Sequence, residues 1–575
     1  FDGYMEWTLT LKPGHHEPMY LEIPVKASEA KLMHAVTDSV GYNYAGKVPA
    51  GKGRVWDSTK APGGKDFVND FIPYVWIGGC LRGVSVTADN DRGWIEKTKE
   101  EGTVPCYEIV REDDGTVVLR LNLVQKAVDL KSPSTIRLGF MATPVKPMVP
   151  HWRSHPIGDL FGSNICWGGL IEALEPYDEQ DTFWLKMAEA RRTGDLQKDY
   201  YDKVMAEFPF DGAPGSEVRK FCEKRYYGHF HFALKNASQI RFKSPAVFYT
   251  NPRGMELGGR AATTFCDEWN RQVYPYPSHV FGRHAKRDYD VDPCLSYRDY
   301  AAWCYKRMVQ TRACDYLYWD CTFPSCNLNL TPGTKAYVRP DGSVQGDAGV
   351  SNMRAVIRRC AVMQAENGYE SRFNWAHMTN TGIAPMLSFA GINFDWEDAS
   401  DTTTFQDRYG IDYILACSTG RQLGNIVSMM GYIGKTDPEN QKRLYRCGTG
   451  VMLAFEFQWN RVPQWSALNE KLTAWGYRDA ATKVWNFWDE DVAFPVAVKG
   501  GQNAALAMAR RGEAIVIVSD FDKGGEFAIA PDAAAMGLVA GFKAYDFETG
   551  AEIPVENGAA KVTLKKHDFA IISFR

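Results

Sequence analysis

The 575-residue chain contains no run of about 18 apolar residues, so no segment reads as a membrane span. It has no CxxC pair, although it carries 13 cysteines. An odd, scattered set of thiols in so long a chain fits neither a dense disulfide framework nor a zinc site, and most are expected to be buried thiols. No GxSxG elbow, GxxxxGK(S/T) loop or HExxH pair occurs, which puts serine esterases, P-loop enzymes and zincins aside. A clustered basic face is also missing: 66 Lys and Arg stand against 70 Asp and Glu, interspersed, for a net charge of −4. Nucleic acid is therefore not an expected partner. There is no low-complexity tract, so long disorder is not expected. Nor is there an initiator Met or a signal sequence, and Phe1 to Trp7 already alternates like a strand; the chain is expected to be a processed product lacking an upstream segment.

Aromatic residues are what the chain has in abundance: 17 Trp, 28 Tyr and 30 Phe make up 13% of it. Large cores account for most of them, and some are expected to line a groove where rings stack on the flat C–H faces of sugars.

The length exceeds one hydrophobic core, so about two to four domains are expected. Residues 1–150 read as β structure. Thr8–Leu11, Leu21–Val25, Val117–Leu121 and Ile136–Phe140 are short alternating or apolar runs, separated by turn formers such as Lys12-Pro13-Gly14 and Asp113-Asp114-Gly115. This predicts an N-terminal β-sandwich, closed by the stiff Pro-rich stretch Thr143–Pro150. From 151 to 488 strand-like runs (Ala246–Tyr249, Tyr316–Trp319, Phe373–Ala376, Pro385–Phe389) alternate with amphipathic ones (Tyr297–Arg312, Met353–Asn367). That rhythm predicts a central (β/α)8, TIM-like barrel. Residues 489–575 return to strands, as in Ala514–Val518, Lys561–Leu564 and Ala570–Ser573, and predict a C-terminal β-sandwich. The expected fold is multidomain α/β and β, a barrel flanked by two sandwiches.

Barrel enzymes gather their chemistry at the C-terminal ends of the strands. Asp315-Tyr316-Leu317-Tyr318-Trp319-Asp320 is an apolar strand ending in an acid, with Trp319 beside it; the plainer alternative for Asp320 is a turn or helix cap. The stretch Asn393-Phe394-Asp395-Trp396-Glu397-Asp398 follows the expected strand at 385–389. Glu397 is the preferred proton donor there, because burial beside rings raises a carboxyl pKa, with Asp395, Trp396 and Asp398 as a sugar-binding rim. Asp267-Glu268 is a third candidate, an adjacent pair of the kind that serves substrate-assisted hexosaminidases; a capping turn is its plainer alternative. On a strand, His229 and His231 would share one face. No third ligand stands at metal-binding spacing, so a structural or substrate-contacting role is expected and no metal. His377 and Asn380, just past a strand end, and Trp375 complete the expected substrate contacts.

Phe71–Gly79 and Ala88–Trp94 resemble the N-terminal sandwich of glycoside hydrolase family 123-like proteins. Asp320, His377–Asn380, the Trp396-Glu397 stretch and Phe405–Arg408 resemble barrel segments of their uncharacterised relatives. The likeness spans most of the chain. Founding members are β-N-acetylgalactosaminidases that use an adjacent Asp-Glu pair, which implies that role for Asp267 and Glu268. The strand end Tyr316-Leu317-Tyr318-Trp319-Asp320 instead resembles the nucleophile strand of retaining α-galactosidase-type barrels.

The expectation is a glycoside hydrolase acting on a complex glycan or polysaccharide through paired carboxylates, Asp320 as nucleophile or charge stabiliser and Glu397 as general acid/base. The alternatives are substrate-assisted cleavage of an N-acetylhexosaminide by Asp267 and Glu268, and a non-catalytic glycan-binding or surface-assembly protein on a barrel scaffold. The expected partner is carbohydrate, with no cofactor, and the expected location is secreted, periplasmic or cell-surface.

Overall fold

The computed structural model describes residues 2–37, 43–62, 67–98, 100–154, 165–167, 177–207, 213–243, 245–256, 261, 264–270, 288–331, 333–377, 382–396, 403–430, 436–460 and 465–575. Besides a small two-stranded sheet, Gly14–His16 with Val128–Leu130, the N-terminal part is two large antiparallel sheets. One runs, edge to edge, through Met5–Leu11, Ser134–Thr143, Gly83–Thr87, Tyr74–Gly78, Leu32–Val36 and Asn43–Lys47; the other through Met19–Val25, Val117–Val124, Tyr107–Arg111 and Gly53–Asp57. Alternate residues of both, among them Val75, Ile77, Val86 and Leu138 from the first and Ile109, Leu119 and Leu121 from the second, enter one core.

The central sheet has seven parallel strands in sequential order: β1 Ile165–Trp167, β2 Val247–Thr250, β3 Tyr316–Trp319, β4 Trp375–His377, β5 Ile392–Asp395, β6 Ile426–Met430 and β7 Gln458–Asn460. Helices link them, including Glu217–Ile240, Leu295–Thr311, Val350–Glu366 and Pro438–Ala454. Their starts are written locally. The Ser216 hydroxyl accepts from the Arg219 N–H and Asp437 accepts from the Asn440 N–H, with Pro438 in the first turn. The strands β2 to β6 are buried on both faces, so they read as near-continuous apolar runs. Val247, Tyr318, Trp375, Ile392, Phe394, Ile426 and Met430 form an inner cluster, while Phe248, Leu317, Trp319, Ala376, Val427 and Met429 join the core under the helices.

Two expectations change here. The stretch expected as a strand at Pro385–Phe389 is a short helix, Ala384–Leu387, because Pro385 suits a first helical turn and cannot donate to a ladder; the strand follows at β5. His229 and His231 lie in the helix Glu217–Ile240 rather than on a strand, so two residues apart they do not share a face. At the entry to β5, a methyl at Gly391 would collide with the carbonyl oxygen of Arg372. Gly391→Ala is therefore expected to cost about 1–3 kcal/mol of stability. An unchanged denaturant midpoint would contradict that packing.

The C-terminal strands form a six-stranded sheet, from Lys483–Asn486 through Asn503–Arg510, Glu513–Asp520 and Phe569–Phe574, and a four-stranded one beside it. Val516 and Val518 face the core between these sheets, and Ile515 and Ile517 face the large core. The helix Pro438–Ala454 reaches this sheet at Gly450, where a Cβ would lie 2.7 Å from Ser519 Oγ. The connections are locked by polar contacts. In the Pro-rich stretch, the Val145 N–H donates to Gln422 O at 2.9 Å, and Lys146 Nζ donates to the carbonyls of Ser388 and Ala390 at 2.7 and 2.5 Å. Burial pulls the Lys146 pKa down to about 7. Buried Glu456 accepts from both Arg153 and Arg421, and the Arg421 guanidinium lies 4.2 Å from the ring of Trp152 and 5.6 Å from that of Trp488.

Candidate active site

Asp320 follows β3 at its C-terminal end. Its N–H donates to Thr250 O at 2.8 Å, keeping it in register with β2. One carboxylate oxygen, Oδ1, takes the Cys321 N–H at 2.9 Å and lies 2.9 Å from His377 Nδ1; the other, Oδ2, takes the Tyr249 hydroxyl. His377 Nδ1 is also 2.8 Å from the Tyr318 hydroxyl, so an Nδ1–H is shared between Asp320 and Tyr318. The rings of Tyr249 and Tyr318 stack at 5.2 Å, and Phe394 lies 5.2 Å from the imidazole. Period two explains the grouping: Tyr318 and Asp320 share the inner face of β3, and Tyr249 and His377 project from β2 and β4 on either side.

Burial acts to raise the Asp320 pKa. Hydrogen bonds from His377, Tyr249 and the Cys321 N–H, with the charge of the imidazole, outweigh it and hold the carboxyl below its ordinary 3.8. The side chain is nevertheless 19% exposed, against 6% for His377. An ionised, partly open carboxylate on a rigid polar cradle can act as a nucleophile or stabilise a cation. It is a poor proton donor.

The turn after Asp320 is shaped for the site. Cys321 has φ +56 and Trp396, after β5, has φ +71, a left-handed backbone that non-glycine residues seldom adopt. In each case the strand-end Asp accepts the next N–H, Cys321 to Asp320 at 2.9 Å and Trp396 to Asp395 at 3.3 Å. Thr322 then donates its N–H and hydroxyl to His377 O, tying the turn to β4. The long loop that follows is clasped by the N-terminal sheets. Lys335 pairs with Asp89 at 2.5 Å, and Arg339 pairs with Asp91 and Glu96, both at 2.5 Å.

The other expected residues divide. Trp319 is buried under the helices, edge-on to Tyr305; Trp375 packs inside the sheet against Phe394; Trp396 is fully buried against Tyr409 and Phe405. None of the three forms a sugar-stacking rim, a correction with a simple cause for Trp319: neighbours on a strand face opposite ways, so it cannot flank Asp320. Asp395 is completely buried. His231 packs on Tyr201 of the helix Lys198–Glu207 and on Phe232 beside it. Asp267 is exposed and Glu268 half-buried on the four-residue helix Cys266–Trp269, where Glu268 accepts the Ser296 hydroxyl at 2.7 Å. Glu397, Asp398, Asn380 and the side chain of His229 lie outside the described residues. Among the described residues no group of three or more His, Cys, Asp or Glu is placed to hold a metal, and no helix is long and apolar enough to cross a membrane. Tyr249 and Tyr318 were not singled out from the sequence, where tyrosines in apolar strands read as core. Their signal is their place as the next-to-last residues of β2 and β3.

Tyr249→Phe removes one donor from Asp320. The carboxyl pKa is then expected to rise, moving the acidic limb of the pH–rate profile to higher pH, with a kcat loss of about tenfold. An unmoved limb would mean that the hydroxyl does not tune Asp320.

No family model matches the chain, and no curated protein matches it. Solved structures that are similar to it include a family-36 α-galactosidase from Geobacillus stearothermophilus (9% identity, 97% of this chain and 76% of that one, TM-score 0.42). An α-galactosidase from Lactobacillus brevis has 11% identity over 96% of this chain and 74% of that one, with a TM-score of 0.42. The galactosidase domain of an α-galactosidase-sucrose kinase has 9% identity over 100% and 78%, with a TM-score of 0.44. Similarity at this level carries no functional inheritance.

Proposed function

We propose that the chain is a glycoside hydrolase in which Asp320 is the nucleophile and Glu397 the general acid/base. The central unit is then a (β/α) barrel, a reading supported by seven parallel strands in unbroken sequential order, without the reversal of a doubly wound sheet. The proposed division has an N-terminal sandwich over residues 1–150 and a barrel from 151. The barrel is proposed to run to 488 and the C-terminal sandwich over 489–575, with the strand Lys483–Asn486 pairing to Asn503–Arg510 at that boundary.

The observation that carries the proposal is the Asp320 carboxylate, held ionised at the C-terminal edge of the sheet by Tyr249, His377 and the Cys321 N–H. Neighbouring strands stand about 4.8 Å apart, so the ends of β3 and β5, with β4 between them, are separated by about 10 Å. A retaining pair needs its two carboxyl groups about 5–5.5 Å apart, so the proposal requires both side chains to reach inward from those ends. Glu397 comes two residues after β5. In the reaction, Asp320 attacks the anomeric carbon as Glu397 gives its proton to the departing oxygen. Glu397 then takes a proton from water, which displaces Asp320 and completes hydrolysis with retention.

The test is a panel of aryl glycosides and natural glycans with Asp320→Asn, Glu397→Gln, Asp267→Asn and Glu268→Gln. Glu397→Gln is expected to slow natural glycans about 10²–10⁴-fold and to spare activated aryl glycosides in part, since these need little protonation on leaving. Loss of activity in Asp267→Asn or Glu268→Gln with wild-type rates in Asp320→Asn would give the reaction to substrate assistance instead.

A further inference from the structure

A cleft of about 900 Å³ lies between the outer face of the six-stranded N-terminal sheet and the start of the helix Val350–Glu366, and Asp320 is not part of it. Its volume is in the range of small-molecule sites, about 300–1,000 Å³. Register builds the floor: Glu6 pairs with Gly139 and Gly139 with Thr87, while Thr8 pairs with Arg137, so all five project on one face. The opposite face, with Leu138 and Val86, is core. A methyl at Gly139 would collide with the Tyr4 hydroxyl, so the Tyr4 ring lies on the sheet only because that position is bare. Arg354, 4.2 Å from the ring and paired with Asp2, fixes it from behind.

The charges in the cleft are unequal. Asp89 is occupied, by Lys335 at 2.5 Å and by the Ser351 N–H at 2.9 Å, and its charge cancels that of Lys335. Among the described residues Arg92 and Arg137 have no carboxylate partner, and Glu6 is the one unpaired acid on the floor, leaving one positive charge over. Short hydroxyl groups, the Tyr4 ring and the guanidiniums of Arg137 and Arg92, the latter 5.7 Å from the Tyr337 ring, match a sugar that carries a carboxylate, which Arg binds in a fork.

We propose that this cleft is a second saccharide site, taking an acidic oligosaccharide segment whose carboxylates pair with Arg92 and Arg137. The choice of a saccharide rests on the glycosidase reading; the site does not share its residues. The experiment is calorimetric titration of Asp320→Asn, which turns nothing over, with tetragalacturonate, maltotetraose as the neutral match and sulfate as the bare anion. Saturable binding of tetragalacturonate is expected, at least about tenfold tighter than maltotetraose, unmatched by sulfate, and weakened about tenfold by Arg137→Ala or Arg92→Ala. Absence of binding, equal binding of the neutral tetramer, displacement by equimolar sulfate, or unchanged affinity in both arginine variants would overturn the proposal. Each of these outcomes leaves the Asp320 kinetics untouched, and failure of the hydrolase reading would show as a wild type that cleaves no glycoside while this binding persists.

Discussion

Asp320→Asn is expected to lower kcat on an aryl glycoside by about 10⁴-fold or more, because the acceptor of the sugar is removed rather than weakened. Little stability should be lost with it. The amide keeps an oxygen for the Cys321 N–H at Oδ1, and the Tyr249 hydroxyl, a donor to the carboxylate, can turn to accept from the new amide nitrogen. The check is kcat with the melting temperature measured alongside. A dead variant that melts with the wild type supports a chemical role. A variant that is both inactive and unfolded would make Asp320 a structural anchor.

The second large effect is structural. Glu456 is buried between Arg153 and Arg421, its side chain 5% exposed. Burial acts to raise its pKa, and the two guanidiniums outweigh it and hold the carboxyl below its ordinary 4.5. Glu456→Gln leaves two facing cations without their counter-charge, in the region where Trp152 and Trp488 stack on Arg421. The expected cost is about 3–5 kcal/mol, or roughly 2–4 °C of melting temperature for each kcal/mol in a domain of this size. The sign with pH follows from the lowered pKa. The stabilisation is present above about 4.5 and is lost as pH falls through the native value, so wild type and variant should converge in acid. A gap that stays constant from neutral pH to pH below 4.5 would mean that the Glu456 charge is not what stabilises the junction.

Much of this could be read from the residues. Asp320 ends an apolar run of strand length, which is where an α/β sheet exposes an acid, and it stands at the C-terminal end of β3. The run Ala514–Val518 is apolar throughout because it is buried on both faces, against its own sandwich and against the helix Pro438–Ala454. Other features were hidden for physical reasons. Pro385–Phe389 has the hydrophobicity of a strand, and short apolar runs do not separate helix from strand by periodicity. Tryptophans beside the acids looked like a sugar rim, but strand alternation turns Trp319 away from Asp320, and the left-handed turn at Trp396 accompanies a ring buried against Tyr409. The cradle of Asp320 is assembled from three strands distant in sequence. Tyr249 and His377 are 71 and 57 residues away from it, a proximity that only the order of the parallel strands creates.

The most direct test of Asp320 as nucleophile is mass spectrometry of the protein after brief reaction with a 2-deoxy-2-fluoro glycosyl fluoride of a sugar it cleaves. The fluorine at C2 slows both chemical steps, and the fluoride leaving group keeps the first fast enough for the glycosyl-enzyme to accumulate. The account predicts one glycosyl adduct, in the peptide spanning Tyr316 to Thr322, as an ester on Asp320, and none on Asp320→Asn. An adduct on any other carboxylate, or turnover of an N-acetylhexosaminide with no adduct on the chain, would contradict it.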